Sequence, residues 1–178
     1  MWTIRLTAVE AEHHRLLREW RNSDDFRRFC SVNRRILTEL EFEEERQWLF
    51  LTGLHWQCLI RGKNDVPIGT VCSYDYSKRD GHCFVTLYVA REYRTSGAGV
   101  IASILFATTL FEELGLYKVY VDVNGHNTRV IDMLRRAGLS EEGVFKGHRV
   151  IEGERYDVFR FALYQECLTV LAKKYVKE

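Results

Sequence analysis

The chain has 178 residues, 46% hydrophobic and 29% charged, and its 26 basic and 25 acidic side chains leave a net charge of +1. That balance gives no field that would draw nucleic acid or an anionic membrane, and the single proline, Pro67, excludes Pro-rich linkers. The length predicts one domain over residues 1–178, large enough to bury about 70% of its unfolded surface without a disulfide or metal staple.

Residues 2–7 alternate apolar and polar side chains and predict a first strand. Residues 10–20 predict a helix with Leu16, Leu17 and Trp20 on one side, and Ser23 or Asp24 is placed to cap a short second helix through Phe26 and Phe29. Thr38 and Glu41 have the spacing of a capping box, opening a third helix through Trp48. The middle then changes character. Residues 55–60, 68–76 and 82–89 are rich in Val, Cys, Tyr and Phe and are separated by turn residues, which predicts an antiparallel meander. A helix follows over residues 97–114, with Val100, Ile101, Ile104, Leu105, Thr108, Phe111 and Leu114 on its expected buried face and Gly115 as its cap. Residues 118–123 predict a strand and 127–136 a helix ended by Gly138. Residues 143–150 and 154–163 predict a hairpin, and 165–175 a last helix. The longest apolar stretch, 97–111, contains Ser103, Thr108 and Thr109 and is too short to span a bilayer. The N-terminus shows no leader pattern.

Five cysteines, Cys30, Cys58, Cys72, Cys83 and Cys167, are odd in number and widely spaced, with no C-x-x-C pair. They predict reduced thiols in a cytoplasmic protein, with no disulfide frame, no metal site and no cysteine nucleophile.

The segment that carries chemistry follows the strand at 82–89. The chain reads Arg94, Thr95, Ser96, Gly97, Ala98, Gly99 and enters a helix. A helix start presents backbone N–H groups without internal partners and a partial positive charge. Gly97 and Gly99 remove side chains from the approach and Arg94 adds a cation, so the turn suits phosphate oxygens. A tight strand-to-helix turn would also need glycine. The pattern lacks the Lys and Ser or Thr of a Walker loop, and Ala102 stands where a dinucleotide fingerprint wants a third glycine.

Arg94-x-x-Gly97-x-Gly99, between a strand and an amphipathic helix, resembles the pyrophosphate turn of the GNAT N-acetyltransferases. Leu87, Tyr88 and Val89 resemble that family's fourth strand, and Asn127 with the run from Leu134 to Leu139 resembles its later Asn-to-Gly block. Trp20, Arg21 and Asn22 resemble the branch holding ribosomal-protein N-terminal acetyltransferases and N-acetyltransferases of nucleotide-linked amino sugars. The resemblance covers residues 2–165. It implies an α/β GNAT fold: a mixed, mostly antiparallel sheet of about seven strands, flanked by helices and splayed at its centre. It implies acetyl-CoA as cosubstrate without a metal, held by Leu87, Tyr88, Val89, Arg94, Thr95, Ser96, Gly97, Ala98, Gly99, Val100 and Asn127. It also implies direct attack by an amine on the thioester.

Three positions depart from the family's habits. Phe84 stands where many members carry glutamate, Leu134 where many carry tyrosine, and Val130 where this branch often carries serine. The remaining candidates for moving protons are Asp122, Tyr88 and His82, with Tyr120 behind them. Solvation or packing is the plain alternative for each. Trp20, Arg21, Asn22 and Arg28 are the expected acceptor contacts, and ion pairing with Asp24, Asp25 or the acidic run 43–45 is the alternative for the arginines. The expected acceptor is a small-molecule amine, a nucleotide-linked amino sugar being one such. A protein N-terminus, or binding of acyl-CoA without chemistry, are the rival readings. A homodimer stays open.

Overall fold

The computed structural model describes residues 4–30, 35–52, 56–94 and 96–176. Its strands are β1 (Arg5–Ala8), β2 (Gln57–Arg61), β3 (Pro67–Ser77), β4 (His82–Val89), β5 (Lys118–Asn124), β6 (Ser140–Ile151) and β7 (Glu154–Tyr164). Its α-helices are α1 (His14–Asn22), α2 (Asp24–Phe29), α3 (Glu39–Thr52), α4 (Ala98–Leu114), α5 (Thr128–Arg136) and α6 (Gln165–Tyr175). The first strand begins at Arg5, with Ile4 outside it; Trp2 and Thr3 of the expected strand, and His55 before β2, lie outside the described residues.

The strands form one sheet in the order β1, β2, β3, β4, β5, β7, β6. Every neighbouring pair is antiparallel except β4 and β5, which run parallel and pair at only three positions: His82 with Lys118, Cys83 with Val119, and Phe84 with Tyr120. Beyond that point β4 stays paired with β3 as far as Val89, and β5 stays paired with β7 as far as Asn124. The sheet therefore divides into two leaves that share a closed end and open toward the C-terminal ends of β4 and β5.

The capping signals hold. Ser23 Oγ accepts from the Phe26 N–H (3.2 Å) and starts α2, and Thr38 and Glu41 cap each other's backbone N–H groups to start α3. One face of the sheet is covered by α4 and α6, where Phe106, Leu110, Val71, Val119 and Leu168 are buried in a single cluster. Full burial of side chains of this size contributes about 1.5–3 kcal/mol each. The buried side of α4 differs from the expected one. Ala98, Ala102, Ile104, Phe106, Ala107, Leu110 and Phe111 are withdrawn from solvent, while Val100, Ile101, Leu105, Thr108 and Leu114 are half-buried or exposed. The helix is apolar nearly all round and meets both the sheet and α6, so periodicity alone does not select its inner face. On the other face, Leu17, Leu37, Phe42 and Leu59 make a smaller cluster with Trp20, fixing α1 and α3 over β2.

Candidate active site

The splay gives β4 an unpaired edge over residues 85–89. In an antiparallel pair the N–H and C=O of one residue point the same way and those of the next point oppositely. The Tyr88 carbonyl lies so close to Gly69 on β3 that a Cβ there would sit 2.2 Å from it, and the Ala90 N–H donates to the Ile68 carbonyl (2.9 Å). The alternate residues, Val85, Leu87 and Val89, therefore turn their backbone groups into the splay. Two contacts agree with this: the Cys30 thiol reaches the Leu87 carbonyl (3.7 Å), and Arg94 Nε donates to the Val89 carbonyl (2.9 Å). A strand that offers amides and carbonyls to a gap can take up a peptide-like chain such as pantetheine.

Past β4 the chain makes the turn. Gly97 is the N-cap of α4 and has φ +82°, a conformation that side-chain-bearing residues avoid. A Cβ on it would meet nothing within 4 Å, so the space in front of the first turn of α4 is open. Gly99 differs: a Cβ there would make ordinary 3.5 Å contacts with Leu87 and Val89, so alanine would fit. The Ser96 hydroxyl donates to the Tyr93 carbonyl (2.7 Å) and accepts from the Ala98 N–H (3.2 Å), while the Val100 N–H turns back to the Gly97 carbonyl (3.1 Å). Thr95 lies outside the described residues. Arg94 does more than face the turn. Besides its bond to Val89, it forms an ion pair with Asp25 of α2 (3.2 Å) and lies over the Tyr88 ring. Asn127 opens α5 through its backbone, its carbonyl accepting from Val130 and Ile131 (both 3.1 Å), with no side-chain cap.

The sequence-derived catalytic candidates separate. His82 stands at the closed end, paired with Lys118 and packed edge-on against Tyr120, away from the splay. Tyr120 turns its hydroxyl to Glu142 (3.0 Å), also at that end. Tyr88 is 5% exposed, wedged between Trp20 and Phe26. Its hydroxyl lies 3.3 Å from Ser23 Oγ, whose own hydrogen goes to the Trp20 carbonyl, so Tyr88 is the donor and serves to fix α2. Asp122 lies two residues past the last β4–β5 pair, on the opened part of β5. Its side chain is 26% exposed and is not alone: Arg160 of β7 donates to both its oxygens (2.8 Å each).

The expected acceptor contacts are mostly structural. Arg21 is 6% exposed and grips Glu45 with two bonds (2.9 and 3.1 Å), because a buried guanidinium must have a carboxylate. Asn22 clamps the backbone of Leu37 with both ends of its amide (2.8 Å each), and Trp20 belongs to the small cluster. Arg28 alone remains available: it has no ion pair among the described residues and lies over the Phe29 ring. Phe29 stacks on His126, which meets the Tyr156 ring, so this corner joins α2 to the loop after β5 and to β7.

Two features were not read from the sequence. One is Arg160, held 4.6 Å over Phe84, 4.9 Å over Phe145 and 5.3 Å over Tyr120. The other is Tyr74 on β3, stacked on Phe84. Burial pushes its phenol up to about 12 against a hydrogen bond from Thr86, with Asp122 adding to the rise, so it keeps its proton at neutral pH. Its signal was a tyrosine on the same strand face as Cys72, visible only once β3 and β4 are in register. Val130 and Leu134, where the family often carries polar residues, pack with Val123, Ile131 and Phe161 and are core. Among the described residues no three His, Cys, Asp or Glu side chains are grouped to hold a metal, and no helix is long and apolar enough to cross a membrane.

Known proteins agree with this architecture. In solved structures the fold recurs in spermidine N-acetyltransferase from Vibrio cholerae in complex with CoA and spermine, at a TM-score of 0.85 and 19% identity over 93% of this chain and 98% of that one. It recurs in mutant forms of the Vibrio cholerae spermidine/spermine N-acetyltransferase, at a TM-score of 0.80 and 18% identity over 94% of this chain and 96% of that one. These identities carry the fold alone. No curated protein matches the sequence. The model of the acetyltransferase (GNAT) domain matches residues 3–140. The chain belongs to the GNAT family of acetyltransferases, enzymes that draw their acetyl group from acetyl-CoA.

Proposed function

We propose that the chain moves an acetyl group from acetyl-CoA to the primary amine of a small molecule, with a nucleotide-linked amino sugar as the leading acceptor. The observation that carries this is the splay itself, where the backbone of Leu87 and Val89 and the open turn at Gly97 meet a face bearing Asp122 and Tyr74. In the reaction the amine lone pair attacks the thioester carbonyl carbon. The C–S bond breaks, its electron pair leaves on sulfur, the nitrogen gives up one proton and the thiolate gains one, yielding an amide and free coenzyme A. Splay-facing N–H groups of β4 would polarise the carbonyl. Asp122 would accept the proton from nitrogen, and the Tyr74 phenol, which keeps its own, would donate toward the departing sulfur.

Two observations favour a small anionic acceptor over a polycation. The carboxylate on the floor, Asp122, is already neutralised by Arg160, and Arg28, with no ion pair among the described residues, is an available cation toward the Tyr156 corner. A guanidinium suits phosphate or carboxylate by its planar fork. Protein N-terminal acetylation and acyl-CoA binding without chemistry are the competing readings. Asp122 and Tyr74 beside the splay weigh against the second of these, since neither is required for binding alone.

Thiol release from acetyl-CoA across a panel of amines tests the proposal. Release with amino-sugar nucleotides supports it. Release with N-terminal peptides only moves the acceptor to protein. Binding of acetyl-CoA without release to any amine leaves a binding module.

A further inference from the structure

We propose that Arg160 is a positioning residue that neutralises Asp122, so that the acceptor amine docks as the free base and not as an ammonium ion. The inference rests on acetyl transfer at the splay and adds the form in which the acceptor binds. Arg160 Nε donates to Asp122 Oδ1 and Nη2 to Oδ2, both at 2.8 Å, a two-pronged pair between directly opposed residues of β5 and β7. The guanidinium is packed by rings from three strands, Phe84 of β4, Tyr120 of β5 and Phe145 of β6. Only 30% of the Arg160 side chain and 26% of the Asp122 side chain is exposed. Hydrogen bonding to Asp122 raises the Arg160 pKa further, so the guanidinium stays charged. The ring faces favour the cation and leave it little room to swing away.

The groups around this pair add no charge that would undo the balance. The Tyr74 phenol nearby is protonated, Tyr120 donates to Glu142, and Glu142 is itself paired with Lys118 (2.7 Å). His82 meets Phe84 and Tyr120 edge-on at the closed end. Arg28 acts on the Tyr156 corner.

An unpaired carboxylate on the floor would stabilise the charged form of an incoming amine, which has no lone pair with which to attack. Pairing with Arg160 removes the net charge yet occupies one lone pair on each oxygen of Asp122, leaving the others to accept an amine N–H. The neutral amine is thereby held with its lone pair free. As the C–N bond forms, the nitrogen becomes cationic and acidic. Only then does a proton pass to Asp122; as the C–S bond breaks the thiolate takes a proton from the Tyr74 phenol, and Asp122 restores that proton through water.

Steady-state kinetics with an amine that the wild type acetylates test this. For the wild type, the acceptor KM falls with rising pH in step with the free-base fraction of the amine. An acceptor KM that is flat or rises with pH overturns the proposal. Arg160→Leu exposes the charge of Asp122. At neutral pH the acceptor KM falls by about threefold or more while kcat falls by about 10–100-fold, and the kcat deficit narrows as pH rises. A structural role alone would raise KM or lower the melting temperature without that split. Arg160→Lys keeps the charge and loses the fork, and it retains the wild-type KM trend. If the leucine variant does not fold, the lysine variant and the wild-type pH series decide. A wild type that acetylates no amine overturns the proposed function and this inference together. An active wild type that binds the ammonium form overturns this inference alone.

Discussion

The two ends of the β4 and β5 pair are built in opposite ways. At the closed end, Glu142 accepts from Lys118 Nζ (2.7 Å), from the Tyr120 hydroxyl (3.0 Å) and from the Tyr164 hydroxyl, while Lys118 also lies over the rings of Tyr120 and Tyr164. That end is tied by side chains across β5, β6 and β7. At the open end the strands share no ladder bond, and side chains from elsewhere reach the splay-facing carbonyls: Cys30 from the end of α2, and Arg94, which also grips Asp25 of α2. The closed end is made of contacts that no ligand would replace. The open end is made of contacts that a pantetheine chain and a pyrophosphate can exchange. A V of this kind keeps its apex while its mouth binds, and the two ends should respond differently to mutation.

The largest effect is expected at the mouth. Asp122→Asn keeps the shape of the residue and one acceptor for Arg160, loses the other because an amide NH2 cannot accept, and removes the proton acceptor. The rate of acetyl transfer should fall by about 10²–10⁴-fold, with acetyl-CoA affinity nearly unchanged. Comparing kcat and the calorimetric affinity of the two forms checks this, and an unchanged rate would remove Asp122 from the reaction. Gly97→Val should weaken acetyl-CoA binding by about 10–100-fold, since a branched side chain at φ +82° is strained and its Cβ enters the open space before α4. Equal affinity in a calorimetric titration would show the turn to be merely structural. Gly99→Ala, with ordinary contacts only, should bind as the wild type does.

The closed end should answer in stability and not in binding. Burial works to raise the Glu142 pKa, but the bonds from Lys118, Tyr164 and Tyr120 outweigh it and hold the carboxyl below its ordinary value. A folded-state pKa below the unfolded one contributes stability that is present above the ordinary glutamate value and lost as pH falls through the folded value. For Lys118, burial works against the charge, and the bonds to Glu142 and Tyr120 still carry its pKa upward. Its contribution is present below the ordinary lysine value and lost as pH rises through the folded one. Glu142→Gln should therefore cost about 0.5–1 kcal/mol at neutral pH after solvent screening, or about 2–4 °C in Tm per kcal/mol. The deficit should close in acid, below the ordinary glutamate range. A deficit that persists unchanged in acid would mean that packing, and not the ion pair, is what the variant lost.

The sequence made the mouth easier to read than the apex. The turn from Arg94 to Gly99 is local: strand, glycine and helix start lie within a few residues, and the backbone rules that shape them do not depend on distant partners. The caps at Ser23 and Thr38 were legible for the same reason. Asp122 was located on the opened strand, but its partner Arg160 is 38 residues away and enters only through the β5–β7 register. Tyr74 and Phe84 likewise meet across a ladder that propensity does not fix. Trp20, Arg21 and Asn22 pointed to the acceptor by resemblance. Their side chains instead clamp α1 to Leu37 and Glu45. The buried side of α4 was legible only in part, at Ile104 and Phe111, because a helix that is apolar nearly all round carries little directional signal.

The smallest expected effect is none at all, and it separates direct attack from a route through an acyl-enzyme. Cys30 lies closest to the chemistry, with its thiol on the Leu87 carbonyl, and would be the obvious nucleophile if one were used. A thiol attacks as the thiolate, so its pKa decides. Burial pushes the Cys30 thiol up to about 12, and nearby Cys72 adds to the rise, against the opposing pull of Arg94. Burial likewise pushes Cys72 and Cys83 up to about 12 and raises Cys58 and Cys167. At neutral pH a thiol of pKa about 12 is ionised in roughly one molecule in 10⁵. That protonation state supports direct attack by the amine. Intact mass after incubation with acetyl-CoA alone should show no added acetyl group, and Cys30→Ala should transfer acetyl at close to the wild-type rate. A stoichiometric acetyl adduct on Cys30 that disappears when amine is added would overturn direct attack and make the α2 contact to Leu87 part of the reaction.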